Sequence, residues 1–409
     1  MAFNRTTRIV LTAVLLICGI WLGTNRQFYA QAMVSAFFAF ALANVIIIHL
    51  RLLPTWKDGS LILAGTLIFA LVDLRVLHLG RAILIWLSFA GLSSLLIFGV
   101  RTIWADQPER KRLQLGFILS LLFVVSEYFA DNMLRWTALR QPGDLDLYLF
   151  SFDASLGVEI PFVVGRTFFH YPWLRLAAVL FYLGLPIPIA LIYAGRLLRD
   201  SKKAIAAGLA FLITGPIGII FYNLFPALGP VHLFLKGFPL HPFPMDQAAK
   251  LVPGPIPLSG PPNAIPSLHM AWVLLAWWYS RGLSWWERSI ALLFMFFTVL
   301  ATLGTGEHYF IDLIVAFPFA LMIESICTFS LKRNDRNRML AFCWGLAGTL
   351  GWFVLLRHAL HFFWISPILP WLSCALTVVL TLTCERLLQK GTVPAIETSV
   401  VSPALSSTS

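Results

Sequence analysis

Two short stretches of this chain carry residues able to do acid–base and nucleophilic chemistry. The first is Asn263-Ala264-Ile265-Pro266-Ser267-Leu268-His269-Met270-Ala271. Pro266 closes a loop, Ser267 is suited to cap a helix, and His269 falls in the first turn of that helix. Free N–H groups and the positive dipole end at such a place attract phosphate. An imidazole there can protonate a leaving oxygen. The second stretch is Gly304-Thr305-Gly306-Glu307-His308-Tyr309-Phe310-Ile311-Asp312. His308 and Asp312 are four apart and share one helix face. A carboxylate so placed bonds one ring nitrogen, fixes the tautomer and leaves the other nitrogen free as a nucleophile. This is the base-and-orienter logic of a catalytic triad applied to histidine. The plainer alternatives are an interfacial histidine for the first stretch and a buried structural His–Asp pair for the second.

The elements that must position these groups are set by composition. Of 409 residues, 59% are hydrophobic and 12% charged, and mean hydropathy is +0.81. Soluble domains are about 25% charged, so this chain cannot clothe itself in polar surface and the bilayer must be its solvent. Continuous apolar runs recur at the length of about 20 residues that crosses about 30 Å of hydrocarbon. Such runs satisfy their backbone groups as helices. The expectation is an all-α polytopic membrane protein of about twelve spans. They run over 8–24, 29–50, 60–78, 82–103, 114–134, 174–195, 204–226, 269–280, 288–305, 308–330, 339–357 and 367–388. The third is the weakest, with Asp73 and Arg75 near its end.

With the N-terminus, bearing Arg5 and Arg8, placed in the cytoplasm, about two-thirds of the basic residues fall on the cytoplasmic side, as the positive-inside rule requires. Both termini are then inside. The net charge of +11 reads as anchoring against anionic lipid, not as nucleic-acid binding. The first run, Ile9 to Leu22, lacks a small-residue cleavage site and reads as a signal-anchor helix. Cys18, Cys327, Cys343, Cys374 and Cys384 show no ligand spacing and read as small hydrophobes. The remaining histidines read as interfacial, and no spacing supports a metal site. The tail 391–409, rich in Ser and Thr, reads as disordered.

Two long loops fall on the outer side. The loop 135–173 mixes aromatic, acidic and apolar residues and suits a helix lying in the interface. The loop 227–268 carries nine prolines between Pro230 and Pro262, excludes regular helix and reads as a lid or substrate cradle. His269 and His308 begin two helices rooted on that same side. They therefore lie at one membrane level, where ionisable groups are costly and default to function.

Pro266-Ser267-Leu268-His269, followed by His308-Tyr309-x-x-Asp312, resembles the second and third motifs of the type 2 phosphatidic acid phosphatase superfamily. The resemblance is closest to the branch of inositol phosphorylceramide and sphingomyelin synthases. The run Tyr222 to Pro230 is similar to that branch's approach to the loop. The resemblance spans roughly 110–330 and implies a six-helix phosphatidic-acid-phosphatase-like catalytic core. This leaves a four-helix extension over 1–109 and a helix pair over 331–390. It implies that His308 attacks phosphorus, Asp312 orients it and His269 protonates the departing oxygen. Ser267, Tyr222, Gly229, Pro230 and Tyr309 are expected around the substrate. No cofactor or metal is implied. The partners are phospholipid or sphingolipid-like substrates in a bilayer, expected to be a bacterial inner (plasma) membrane.

The chain departs from the phosphatases of that superfamily. They carry a Lys…Arg-Pro motif and an arginine six residues before the third-motif histidine. Here that position is Thr302, and no clean first motif exists. Those cations normally clamp phosphate. Their lack favours a transferase moving a phospho-headgroup, such as inositol phosphate, between lipids. A lipid phosphate phosphatase and a non-enzymatic transporter or scaffold are the alternatives. Arg166, Arg175 and Lys236 are candidates for the missing charge, and each also suits an interfacial anchor.

Overall fold

A computed structural model describes residues 4–25, 27–28, 30–31, 35–72, 82–141 and 143–392. The described chain is 80% helical and has no strands. The end of the expected third span (Asp73, Arg75, His78), Arg26, Arg81, Pro142 and the tail from 393 lie outside the described residues.

The helices in chain order begin with α1 (Arg5–Thr24), α2 (Ala36–Leu52), α3 (Trp56–Val72), α4 (Ala82–Trp104) and α5 (Glu109–Ala138). Next come α6 (Asp146–Ser155), α7 (Ile160–His170), α8 (Pro172–Leu183), α9 (Pro186–Arg199) and α10 (Ser201–Leu224). The short α11 (Pro230–Phe234) and α12 (Met245–Lys250) interrupt the proline-rich loop. The last five are α13 (Leu268–Tyr279), α14 (Trp285–Gly304), α15 (Phe310–Cys327), α16 (Arg336–His358) and α17 (Ile368–Thr392).

Eight of these helices are long and apolar enough to cross a membrane, and up to ten spans result if each bent pair counts as one. The chain is a polytopic membrane protein. Three expectations change. The proline-rich loop 227–268 is not free of regular helix, since it holds the short α11 and α12, each starting at or just after a proline. The loop 135–173 holds not one interfacial helix but α6 and α7, bent by 88° at their junction. The expected sixth span is two helices, α8 and α9, meeting at 45°. Pro186 stands at the first position of α9, where its missing N–H costs nothing and where a new helix readily begins.

α15 sits at the centre, packed by α10, α13, α16 and α17. Its inner residues Ile311, Val315, Ala316, Phe319, Ala320 and Ile323 are fully buried. The α15–α16 contact is close enough that a Cβ on Gly345 would stand 2.6 Å from the Met322 backbone nitrogen, the small-residue packing common between membrane helices. Outward faces of α1, α8 and α17 expose Ile17, Trp21, Trp173, Leu176, Leu372 and Val379, as lipid-facing surfaces do. α2 packs on α5 and α9 as well as on α4.

Candidate active site

The site is assembled where the starts of α13 and α15 meet the proline-rich loop. Ser267 caps α13, its hydroxyl accepting from the Met270 N–H at 3.4 Å. The Ser267 N–H donates to the Asp312 carbonyl at 3.1 Å, which ties the two helix starts together. Leu268 follows directly, so His269 lies in the first turn of α13.

His308 sits in the turn before α15. Its N–H donates to the Thr302 carbonyl at 3.1 Å. Its Nδ1 lies 3.4 Å from Asp312 Oδ2 and its Nε2 lies 3.2 Å from Ser267 Oγ. The same Asp312 oxygen accepts the Tyr309 N–H at 2.8 Å, closing the first turn of the helix. His308 is 2% exposed and Asp312 fully buried. Burial pulls the His308 imidazole down from 6.5 to about 4, against a smaller upward push from the Glu307 charge. The ring is thus neutral at physiological pH.

The loops around this turn are fixed by carboxylates bonded to backbone N–H groups. Asp153 of α6 accepts from Phe310 N–H at 2.6 Å and from Ile311 N–H at 3.2 Å, so it caps α15 from another element. Asp146 accepts from Leu228 N–H at 2.8 Å and Gly229 N–H at 3.2 Å. The Val231 N–H donates to the Gly306 carbonyl at 2.9 Å. Gly229 has φ +122°, and a Cβ there would stand 2.4 Å from the Glu307 carbonyl oxygen. Only glycine permits that approach.

These elements enclose a cavity of about 320 Å³ whose wall includes His269, His308, Tyr182, Tyr222, Asn263 and Glu307. Both histidines therefore face one space. His269 stacks on Tyr182 with ring centroids 4.0 Å apart, and Tyr182 Oη lies 3.2 Å from its Nδ1. The opposite ring nitrogen, Nε2, is the one left for a ligand. Ser267 reaches the site through His308. Gly229, Pro230 and Tyr309 do not line the cavity and instead support the turn behind it.

Arg166, Arg175 and Lys236 do not line it either. Arg135, on the last turn of α5, borders an adjoining cavity that shares Leu134 and Asn263 with this one. The N-terminal spans, which carried no legible chemistry, supply Ser35 and Phe37 to the wall. Tyr182 and Glu127 were also missed. The sequence signal for Glu127 was available: a glutamate inside an apolar 30-residue helix. A second cavity of about 300 Å³ among α1, α2, α4 and α5 carries no carboxylate or imidazole.

Residues 147–326 match the family model described as PAP2 superfamily. No curated protein and no solved structure matches the chain. The matched segment begins with α6 and ends within α15, and so contains both histidines and Asp312. The match points to a lipid phosphatase or phosphotransferase.

Proposed function

We propose that this protein is a membrane lipid phosphotransferase working through a phosphohistidine. His308 Nε2 attacks the phosphorus of a donor phospholipid, and the bond from phosphorus to the departing lipid alcohol breaks as His269 delivers a proton to that oxygen. An acceptor hydroxyl then attacks phosphorus, loses its proton to His269, and breaks the P–N bond. Asp312 holds the Nδ1 proton of His308 so that Nε2 carries the lone pair. Ser267, 3.2 Å from Nε2, hydrogen-bonds that nitrogen until substrate displaces it.

The observation that carries this reading is the placement of His308, held by Asp312, on the wall of a cavity that also contains His269. Transfer is favoured over hydrolysis by the absence of lysine and arginine from that wall among the described residues, since a phosphomonoester dianion needs cationic clamping. The basic helix ends (Arg51, Arg101, Arg199, Arg281) gather away from the histidines, around Glu287, Asp58 and Glu385. By the positive-inside rule that end is cytoplasmic and the site extracytoplasmic.

Incubation with phospholipids labelled in the headgroup phosphate tests the reading. The label should enter an acid-labile, base-stable protein adduct and then a new lipid. His308→Ala should form no adduct. Release of the label in water-soluble form, as the free phosphorylated headgroup (inorganic phosphate where the donor is phosphatidic acid), would establish hydrolysis instead.

A further inference from the structure

Two side chains of one type face the cavity, yet their Nδ1 atoms have different partners. His308 Nδ1 lies 3.4 Å from the Asp312 carboxylate. His269 Nδ1 lies 3.2 Å from a phenol, the Tyr182 hydroxyl. An anionic partner raises the basicity of the far ring nitrogen, which suits a nucleophile. A neutral partner fixes the ring without that gain, which suits a group that must give a proton away.

Three helices hold the His269 ring. Tyr182, in the last turn of α8, stacks on it with ring centroids 4.0 Å apart and planes 23° from parallel. Phe37 of α2 touches both rings, with centroids 5.4 Å from His269 and 5.7 Å from Tyr182. Trp272, one turn further along α13, meets the imidazole edge-on at 5.8 Å. The aromatic contacts set the plane of the imidazole, and the hydroxyl sets which end of it is engaged. With Nδ1 held, proton exchange with a bound substrate is confined to Nε2. On the reading above, which this inference rests on, we propose that Tyr182 is the positioning residue of the proton donor. Its hydroxyl holds His269 Nδ1, and Phe37 pins the pair. The Nε2 proton of His269 then passes to the departing lipid oxygen. That oxygen keeps the electron pair of its broken bond to phosphorus, while the His308 Nε2 lone pair forms the new bond. α2 lies outside the matched segment 147–326, so the N-terminal helices take part in the chemistry through Phe37.

The test uses the full chain in nanodiscs and reads the first half-reaction in a single turnover. One donor is the most reactive of phosphatidylethanolamine, phosphatidylglycerol and phosphatidylinositol, labelled on the acyl chain, whose departing alkoxide needs a proton. The other is dodecyl p-nitrophenyl phosphate, whose departing phenolate needs none. Tyr182→Phe keeps the stacked ring and removes the hydroxyl. It should slow diacylglycerol release about tenfold or more, a share of the 10²–10⁴-fold that a general acid supplies, and slow p-nitrophenolate release far less. Adding Tyr182→Phe to His269→Ala should cost nothing further, because the hydroxyl acts through that imidazole. Phe37→Leu should show the same dependence on the leaving group at smaller size, and equal loss on both donors would remove α2 from the arrangement.

Nitrogen-15 NMR of histidine-labelled protein needs no turnover. The Nδ1 resonance that His269→Ala removes should shift in Tyr182→Phe, while that of His308 stays in place. If reaction does not depend on His308, the transferase reading falls and takes the proton-delivery role with it. If reaction depends on His308, but Tyr182→Phe slows both donors alike, adds to His269→Ala or leaves the resonance unmoved, this inference falls alone.

Discussion

The two ends of the helix bundle treat their buried carboxylates in opposite ways. Away from the histidines, Glu287 pairs with Arg51 at 3.2 Å and lies 3.8 Å from Arg199, Asp58 pairs with Arg101 at 2.9 Å, and Glu385 pairs with Arg281. Arg196 adds a bond to the Tyr279 carbonyl at 2.7 Å. Arg51 ties α2 to the start of α14, Arg101 ties α4 to α3, and Arg281, in the turn after α13, reaches α17. At the histidine end, Asp146, Asp153 and Asp312 are held by backbone N–H groups instead. Backbone donors position a loop without bringing a mobile cation near the cavity. The contrast teaches that one end uses its charges to hold helices together. The other uses carboxylates to aim a turn.

The sharpest way to break that contrast is to remove the aimed group. His308→Ala should lower turnover by roughly 10⁴-fold or more, as loss of a nucleophile does. Asp312→Asn should cost about 10³–10⁴-fold through the wrong tautomer. Both proteins should still elute as a single species with cooperative melting. Full activity in either one ends the proposal.

The pH profile sharpens the same point. His308 is pulled to about 4, so the imidazole keeps its lone pair down to that pH. The acid limb of single-turnover diacylglycerol release assigned to His308 should lie near pH 4, not near 6.5. Stability follows with the matching sign: below the unfolded value of 6.5 the unfolded chain binds a proton that the folded one refuses. This contribution is therefore present above 6.5 and declines progressively as pH falls toward 4. A limb near 6.5 would mean that the ring is not desolvated as the structure has it.

The histidine pair, Asp312 and Ser267 were legible because each depends on local spacing: a cap, a first turn and an i,i+4 face. The helices were legible because apolar run length is a one-dimensional signal, and each of the twelve expected runs overlaps a helix. What escaped was non-local. Nothing near Phe37 in sequence tells that α2 crosses to the wall of a cavity built from α13 and α15. Asp153 and Asp146 looked like loop acids in an interfacial segment. Their role exists only because α6 folds against the start of α15 and the Gly229 turn. Gly229 and Pro230 were expected at the substrate, but neither is part of the cavity wall; Gly229 instead packs against the Glu307 carbonyl.

Smaller effects test that support. Gly229→Ala forces a Cβ against the Glu307 carbonyl at a backbone angle costing about 1–3 kcal/mol for other residues. Thermal melting should fall accordingly, and kcat should drop further than stability alone explains because Glu307 and His308 shift with the turn. Asp153→Asn keeps the shape and removes the charge from two N–H acceptor bonds. Its expected cost is about 1–2 kcal/mol, with a weaker effect on kcat. Melting unchanged by Asp153→Asn would show that α15 does not need its borrowed cap.

The smallest effect belongs to the other end. Arg51 is over a third exposed and its partner Glu287 is buried, while Ser284 also bonds the same carboxylate at 2.6 Å. Arg51→Ala therefore leaves Glu287 with Ser284 and with Arg199 nearby. The loss should stay within about 1 kcal/mol, the range of partly exposed pairs, and should shrink as salt is added. Turnover should be unchanged, because among the described residues none of these paired charges lines the histidine cavity. The informative outcome is the opposite one. If Arg51→Ala lowered kcat as strongly as a change at Gly229, the two ends would be mechanically coupled through α2, which carries Phe37 at the cavity and Arg51 one helix length away. The paired charges would then be part of how the site is held open, and the division between the two ends would fail.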